Sequence, residues 1–203
     1  MHVRLNLVTA DPAKLYDVVD YVRHDVRAML EGRPGNMGMS LLVNDPLGIA
    51  IVESYWFSGD AMRESEHSVA ASRAQAVRRG AATVSVERFV VASSTRTRRP
   101  EAGAGVRLTR VEGDAKAVDR IATAYEDIAL PWLTDTDGFC GATLYEDRAT
   151  GRGIRQTYWR DPVALSASRG AAAGVRAEVV AAADGSIRAL EEYSLVFTSG
   201  WPE

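Results

Sequence analysis

Glu53-Ser54-Tyr55-Trp56-Phe57-Ser58-Gly59-Asp60-Ala61 is the stretch on which the fold turns, because it returns as Gln156-Thr157-Tyr158-Trp159-Arg160-Asp161-Pro162-Val163-Ala164. The offset of 103 is that of Gly138 from Gly35 (138 − 35), and it holds outward in both directions. Upstream, Val3, Arg4 and Leu5 fall on Val106, Arg107 and Leu108. Leu30, Gly35, Gly38, Leu41 and Gly48 fall on Leu133, Gly138, Gly141, Leu144 and Gly151. Downstream, Ser65 and Arg73 fall on Ser168 and Arg176; a one-residue insertion then moves the offset to 104, so that Glu87 meets Glu191 and Phe89 meets Tyr193. Order and spacing kept over a whole unit mark a tandem duplication of one α+β unit of roughly 100 residues.

Each copy reads the same way. Val3 to Val8 alternates as a strand and meets Asp11-Pro12, an N-cap with proline at the first helical position. Leu15, Val18, Val19, Val22, Val26, Met29 and Leu30 then recur at helical spacing, with Asp17, Asp20, His24 and Arg27 on the opposite side. Gly32 and Pro34-Gly35 end that helix, and residues 37–43 and 49–57 form a hairpin through Asn44-Asp45-Pro46-Leu47-Gly48. Ser58 or Asp60 caps a second helix to about Arg79, and Thr83 to Val91 is β-branched enough to be the last strand. The second copy places strands near 106–111, 139–146, 153–160 and 187–197. The order β-α-β-β-α-β is that of a ferredoxin-like unit with both helices on one face of its sheet. The other face also carries apolar residues and needs a cover. The expected fold is therefore α+β, with two tandem ferredoxin-like units whose sheets face each other as an α/β barrel. The expected organisation is residues 1–93, a polar linker over 94–104, and residues 105–203. Closure within one chain as a monomer is the first expectation, with exchange in a homodimer as the alternative.

Composition narrows the function. A net charge of −3, with arginines scattered apart from Arg96, Arg98 and Arg99, offers no broad positive field for a phosphate backbone, so no nucleic-acid partner is expected. Cys140 is the only cysteine, which removes an intramolecular disulfide and a cysteine metal cage from consideration and fits a reducing compartment. No stretch approaches the length of a membrane span, and the amino-terminal residues lack the apolar run of a leader. A cytoplasmic protein without a membrane partner is expected.

Pro34-Gly35-Asn36-Met37-Gly38, then a hairpin, then Glu53-Ser54-Tyr55-Trp56 with Ala61 on the following helix, resembles the antibiotic-biosynthesis-monooxygenase-like domains of the dimeric α/β-barrel superfamily. The second copy restates the pattern with Gly138, Gly141, Tyr158, Trp159 and Ala164. The resemblance implies a cavity between sheet and helices and, as one activity of the family, cofactor-independent oxygenation of a small aromatic or polyketide-like molecule. It implies no cofactor for that activity. Haem-degrading relatives carry an asparagine on the first strand, a tryptophan in the second helix and a histidine ligand further along it. Asn6 matches the first; Ser65 stands at the tryptophan position, Ala71 to Ala74 lie where the histidine belongs, and Thr109 replaces the asparagine in the second copy.

Asn6, Glu53 and Glu87 are polar residues inside otherwise apolar strands, where burial without a partner is costly. A carboxylate such as Glu53 in a partly dry cavity is raised in pKa by desolvation and can take a proton from a phenol or enol, leaving a carbanion that reacts with oxygen. The catalytic candidates are Glu53 as base, with Asn6 and Tyr55 orienting substrate or oxygen, and Met37, Met39 and Phe57 as apolar wall. The alternative reading pairs Glu53 or Glu87 with an arginine in a non-catalytic binding or stress-response barrel. Trp56 and Trp159 point to the face opposite Tyr55 and Tyr158, and the resemblance implies that these tryptophans pack in the core under the following helix. His2, His24 and His67 form no spaced ligand pair, so no protein metal site is expected. Because Glu53 becomes Gln156 and Asn6 becomes Thr109, an active cavity is expected in residues 1–93.

Overall fold

The computed structural model describes residues 1–201, so the last two positions of the expected second half lie outside the described residues. The first repeat runs β1 (His2–Thr9), α1 (Leu15–Tyr21), a π-helical turn (Val22–Val26), α2 (Arg27–Glu31), β2 (Asn36–Asn44), β3 (Ile49–Trp56), α3 (Gly59–Glu64), α4 (Glu66–Gly80) and β4 (Thr83–Arg96). The second runs β5 (Gly105–Glu112), α5 (Ala115–Ala124), a π-helical turn (Tyr125–Ala129), α6 (Leu130–Asp135), β6 (Phe139–Asp147), β7 (Arg152–Trp159), α7 (Pro162–Ala167), α8 (Arg169–Ala183) and β8 (Ser186–Thr198). The strands form one closed barrel in the order β1-β3-β2-β8-β5-β7-β6-β4, so closure occurs within a single chain.

The duplicated pattern corresponds to repeated geometry. Leu5 pairs with Glu53 on β3 and Glu87 on β4; Leu108 pairs with Gln156 on β7 and Glu191 on β8. The single insertion is a β-bulge: Val111 pairs with Ile187 and Arg110 with Ala189, which leaves Arg188 as the extra residue. Asp11 and Asp114 cap their helices by accepting from the backbone N–H of Ala13 and Ala117. Ser58 is the cap of the second helix, accepting from the Ala61 N–H at 3.1 Å, and Asp161 does the same for Ala164.

Gly35 and Gly138 recur together with Ala61 and Ala164 for a steric reason. Both glycines have positive φ, 75° and 81°, and a Cβ on either would stand 2.6 or 2.5 Å from the methyl of the matching alanine. Each pair brings the turn before the hairpin against the first turn of the second helix.

Three boundaries depart from the sequence expectation. Both long first helices contain a π-helical turn, which apolar periodicity alone does not register because it adds one residue to a turn without breaking the apolar face. The second helix of each repeat is two helices meeting at Ser65 and Ser168. Finally, β4 runs on through Arg96, into the stretch expected as linker, and Thr97 and Arg98 donate their backbone N–H to the Cys140 carbonyl. The chain accordingly divides into one compact unit of Met1–Val90 plus the chain end from Leu195, and a second of Val91–Ser194.

In each unit the helices cover one sheet face. Val8, Leu15, Val18, Met39, Leu41, Val52 and Trp56 belong to the first sheet–helix core, and Val111, Ile121, Leu133, Leu144 and Trp159 to the second. Trp56 and Trp159 are fully buried, and their indole N–H groups donate to Ser54 and Thr157 on the same strand face.

Candidate functional site

Strand alternation sorts the candidate residues. Ile51, Glu53 and Tyr55 point away from the helices, whereas Arg4, Asn6, Val8, Val52 and Trp56 point toward them. Glu53 is fully buried and accepts a 2.9 Å hydrogen bond from the Tyr55 hydroxyl, which also lies 3.1 Å from Ser40 Oγ. Gln156 and Tyr158 repeat the arrangement, with the amide of Gln156 donating to the Tyr158 hydroxyl. The structure therefore brings Glu53 and Tyr55 together but puts Asn6 on the other side of the sheet. Met37, Met39 and Phe57 do not make one wall: Met39 is buried in the helix-facing core, while Met37 and Phe57 sit at strand ends, 45 % and 76 % exposed. Their alternation along the strands and the bulge between Asn36 and Gly38 separate them.

Two cavities occupy equivalent places between sheet and helices, one in each unit. The first measures about 380 Å³ including its mouth and is lined by Asn6, Val8, Val22, Val26, Leu30, Val52, Val69, Ser72, Arg73, Ala76 and Val84. The second is larger, about 580 Å³ including its mouth. Apolar residues dominate its wall: Val111, Ile121, Ala129, Leu133, Val175, Val179 and Ile187, with Tyr125 and Trp132 as aromatic members. Set among them are Arg107, Arg155 and Arg176 with Thr109 and Thr157. The sequence points to an active cavity in residues 1–93; the structure has a sheet–helix cavity in each repeat, the second being the larger of the two. Neither is lined by Glu53 or Tyr55, or by the histidine that a haem-degrading site requires. His67 is exposed, and His24 is exposed beside Asp20 at 3.3 Å.

The two cavities differ in how their charges are matched. In the first, Glu66 on α4 gathers three guanidinium groups: Arg4 at 3.4 Å, Arg88 at 3.2 Å and Arg73 by a direct hydrogen bond. Arg73 also donates to Asn6 Oδ1 at 3.4 Å. Burial works to raise the Glu66 carboxyl, but hydrogen bonds and charge from Arg73, with help from Arg4 and Arg88, outweigh it and hold the group below its ordinary range. Burial pushes Arg4 down to about 10, against the pull of Glu66.

In the second repeat the helix and strand charges are exchanged. Arg169 stands where Glu66 stood, and Glu192 where Arg88 stood. Glu192 accepts from Arg107 Nε and Nη2 at 3.1 and 2.9 Å and is also bound by Arg169. Burial opposes its ionisation, and hydrogen bonds from Arg169 and Arg107 overcome this and lower its pKa. Arg107 also donates to Ser168 Oγ and the Leu165 carbonyl, each at 3.0 Å. Arg176, the counterpart of Arg73, makes no hydrogen bond or ion pair with any described residue. Burial and then repulsion from Arg107 lower its pKa, with Glu192 opposing.

A further replacement turns two apolar positions into a buried ion pair. Val43 and Val52 of the first repeat become Glu146 and Arg155, 3.5 Å apart with 3 % and 4 % of their side chains exposed. Burial raises Glu146 and lowers Arg155, and each partner counters the shift of the other. Arg155 Nε and the Tyr125 hydroxyl are buried without a hydrogen-bond partner among the described residues. Burial pushes the Tyr125 phenol far up, with Arg155 pulling the other way. Comparison of the copies could have exposed this site, since Val22 becomes Tyr125, Met29 becomes Trp132 and Val52 becomes Arg155. Attention to polar residues of the first copy alone passes over it.

The fold is that of the antibiotic-biosynthesis-monooxygenase-related ferredoxin-fold proteins. A protein so described from Listeria monocytogenes superposes with a TM-score of 0.54 and 11% identity over 100% of this chain and 96% of its own. A candidate monooxygenase from Lactobacillus acidophilus NCFM gives 0.69 and 12% identity over 98% and 95%. An anthrone oxidase-like protein gives 0.67 and 15% identity over 97% and 92%. At sequence level the chain belongs to the family of the uncharacterized protein Rv2557 of Mycobacterium tuberculosis, with 32% identity over 154 residues, 76% of this chain and 69% of that protein. No protein-family model matches the sequence. No helix of the described residues is long and apolar enough to cross a membrane.

Proposed function

We propose that this chain binds a small, flat, largely apolar molecule in the sheet–helix cavity of its second repeat, an aromatic or polyketide-like compound being the class that fits. The carrying observation is the cavity's lining, in which Tyr125 and Trp132 stand among aliphatic side chains and a few polar groups. That combination of an apolar lining with sparse fixed polar groups is what small-molecule sites present. A small-molecule ligand of this class accords with the neighbours, one of which is named as anthrone oxidase-like.

Binding is placed ahead of oxygenation because the second cavity is lined by no carboxylate and no imidazole to act as base. The oxygenase reading rests instead on Glu53, whose buried carboxylate is held by Tyr55 in the first unit. Under it Glu53 is the base and Tyr55 positions the reacting group, while Asn6 serves the first sheet–helix cavity.

Titration of the purified protein with anthrone, followed by quenching of tryptophan fluorescence, tests the binding reading. Saturable binding is expected, and Ala172→Phe, which fills the cavity, is expected to weaken it at least tenfold. Equal binding by parent and Ala172→Phe would discard the assignment. Oxygen uptake with anthrones or quinols tests the second reading, which fails if Glu53→Gln leaves the rate unchanged.

A further inference from the structure

The duplication supplies an internal control for each residue of the second cavity. At equivalent positions Arg73 and Arg176 project from α4 and α8 into equivalent cavities. Arg73 is hydrogen-bonded to Glu66, which it shares with Arg4 and Arg88, and also donates to Asn6. Arg176 has lost both partners, because Glu66 has become Arg169 and Asn6 has become Thr109. The carboxylate that compensates at the strand, Glu192, is taken up by Arg107 and Arg169. Arg155 is in turn matched by Glu146. One guanidinium on the wall of an otherwise apolar cavity is thereby left with no carboxylate in contact among the described residues, Glu192 acting on it only at longer range.

The first repeat occupies the donors of the equivalent guanidinium with a carboxylate and an amide oxygen, whereas those of Arg176 stay free at the cavity wall for a ligand to take up. We infer that the second cavity takes an amphiphilic monoanion, a carboxylate on an aromatic or aliphatic body, with Arg176 as the residue that binds its charge. Guanidinium suits this role, since its planar fork matches a carboxylate with two hydrogen bonds. Tyr125 and Arg155 line the same wall, and the Tyr125 hydroxyl and Arg155 Nε are buried and without a hydrogen-bond partner among the described residues. Tyr125 opens the π-helical turn and Ala129 closes it, and both line the cavity. This inference deepens the binding reading and depends on it.

Two probes of equal size separate the two ideas. Calorimetric titration at pH 7 with 2-naphthoate and with its neutral counterpart 2-naphthamide measures the contribution of charge at constant apolar surface. The parent protein is expected to bind naphthoate at least tenfold more tightly than naphthamide, with the ratio shrinking as salt is added. Arg176→Gln is expected to bring naphthoate to the naphthamide affinity, Arg176→Lys to keep part of the difference, and Arg73→Gln to leave it intact. Circular dichroism and thermal unfolding of each variant establish that it is folded before it is titrated. Equal affinity of the parent for both probes, or a preference that survives Arg176→Gln, would overturn the inference while leaving a small-molecule site in place. Failure of both probes to bind would overturn the binding reading and this inference with it.

Discussion

Glu66 shows how much one side chain can decide. It is the shared counter-ion of Arg4, Arg73 and Arg88, and the side chain of Arg4 is fully buried. Glu66→Gln strips that cluster of its only carboxylate contact among the described residues, leaving Arg4 charged and buried. A loss of about 2 kcal/mol is expected in urea unfolding at pH 7, a figure reduced for solvent screening because Glu66 is itself about one-third exposed. The pH dependence has a fixed sign. The Glu66 pKa is lower in the folded than in the unfolded chain, so its stabilisation is complete above the unfolded value near 4.5 and disappears as pH falls through the lower folded value. The difference between parent and Glu66→Gln should therefore be constant near neutrality and shrink below about pH 4.5. A difference that grew on acidification would contradict the assigned role. The candidate residues of the sequence were legible as polar groups inside strands, and Glu53 and Tyr55 do meet in the structure. Asn6 could not be assigned to the same locus from its chemistry, because the face it occupies depends on strand register.

At the scale of elements, the recurring glycines and alanines are joints. Gly138 lies in the left-handed region and a methyl there would overlap the Ala164 side chain, so Gly138→Ala combines backbone strain with overpacking. About 2–4 kcal/mol of destabilisation is expected, read as a drop in the thermal midpoint, and Gly35→Ala should behave alike. An Ala164→Gly background relieves the overlap but not the strain, so it should recover only part of the loss. These joints were visible as repeated residues, and only contact geometry revealed that they recur as pairs. The π-helical turns are the converse case. Their residues carry ordinary apolar spacing, and the widened turn is registered only in the hydrogen bonds of the folded helix.

For the whole molecule, each compact unit ends in a strand segment supplied from the other repeat. The first takes the chain from Leu195, where Ser199 N–H donates to the Met39 carbonyl at 2.9 Å; the second takes Val91–Arg96 and the following Thr97. A fragment of residues 1–96 should consequently not persist as a folded monomer. Light scattering after size-exclusion chromatography is expected to show dimers or larger species, and a stable, cooperatively unfolding monomer of that fragment would contradict this account.

The sequence by itself determined the duplication, the β-α-β-β-α-β order of each copy and the cap at Asp11, and it narrowed the second cap to Ser58 or Asp60. All of these follow from local periodicity, turn chemistry and repetition, which act over a few residues. Only the tertiary structure decided which repeat holds the larger of the two cavities and which of its charged groups lack a partner in contact. Those outcomes depend on partners far apart in the chain, such as Arg107 with Glu192 and Arg73 with Glu66, and a carboxylate moved from helix to strand changes nothing in local pattern while it leaves Arg176 without a carboxylate in contact.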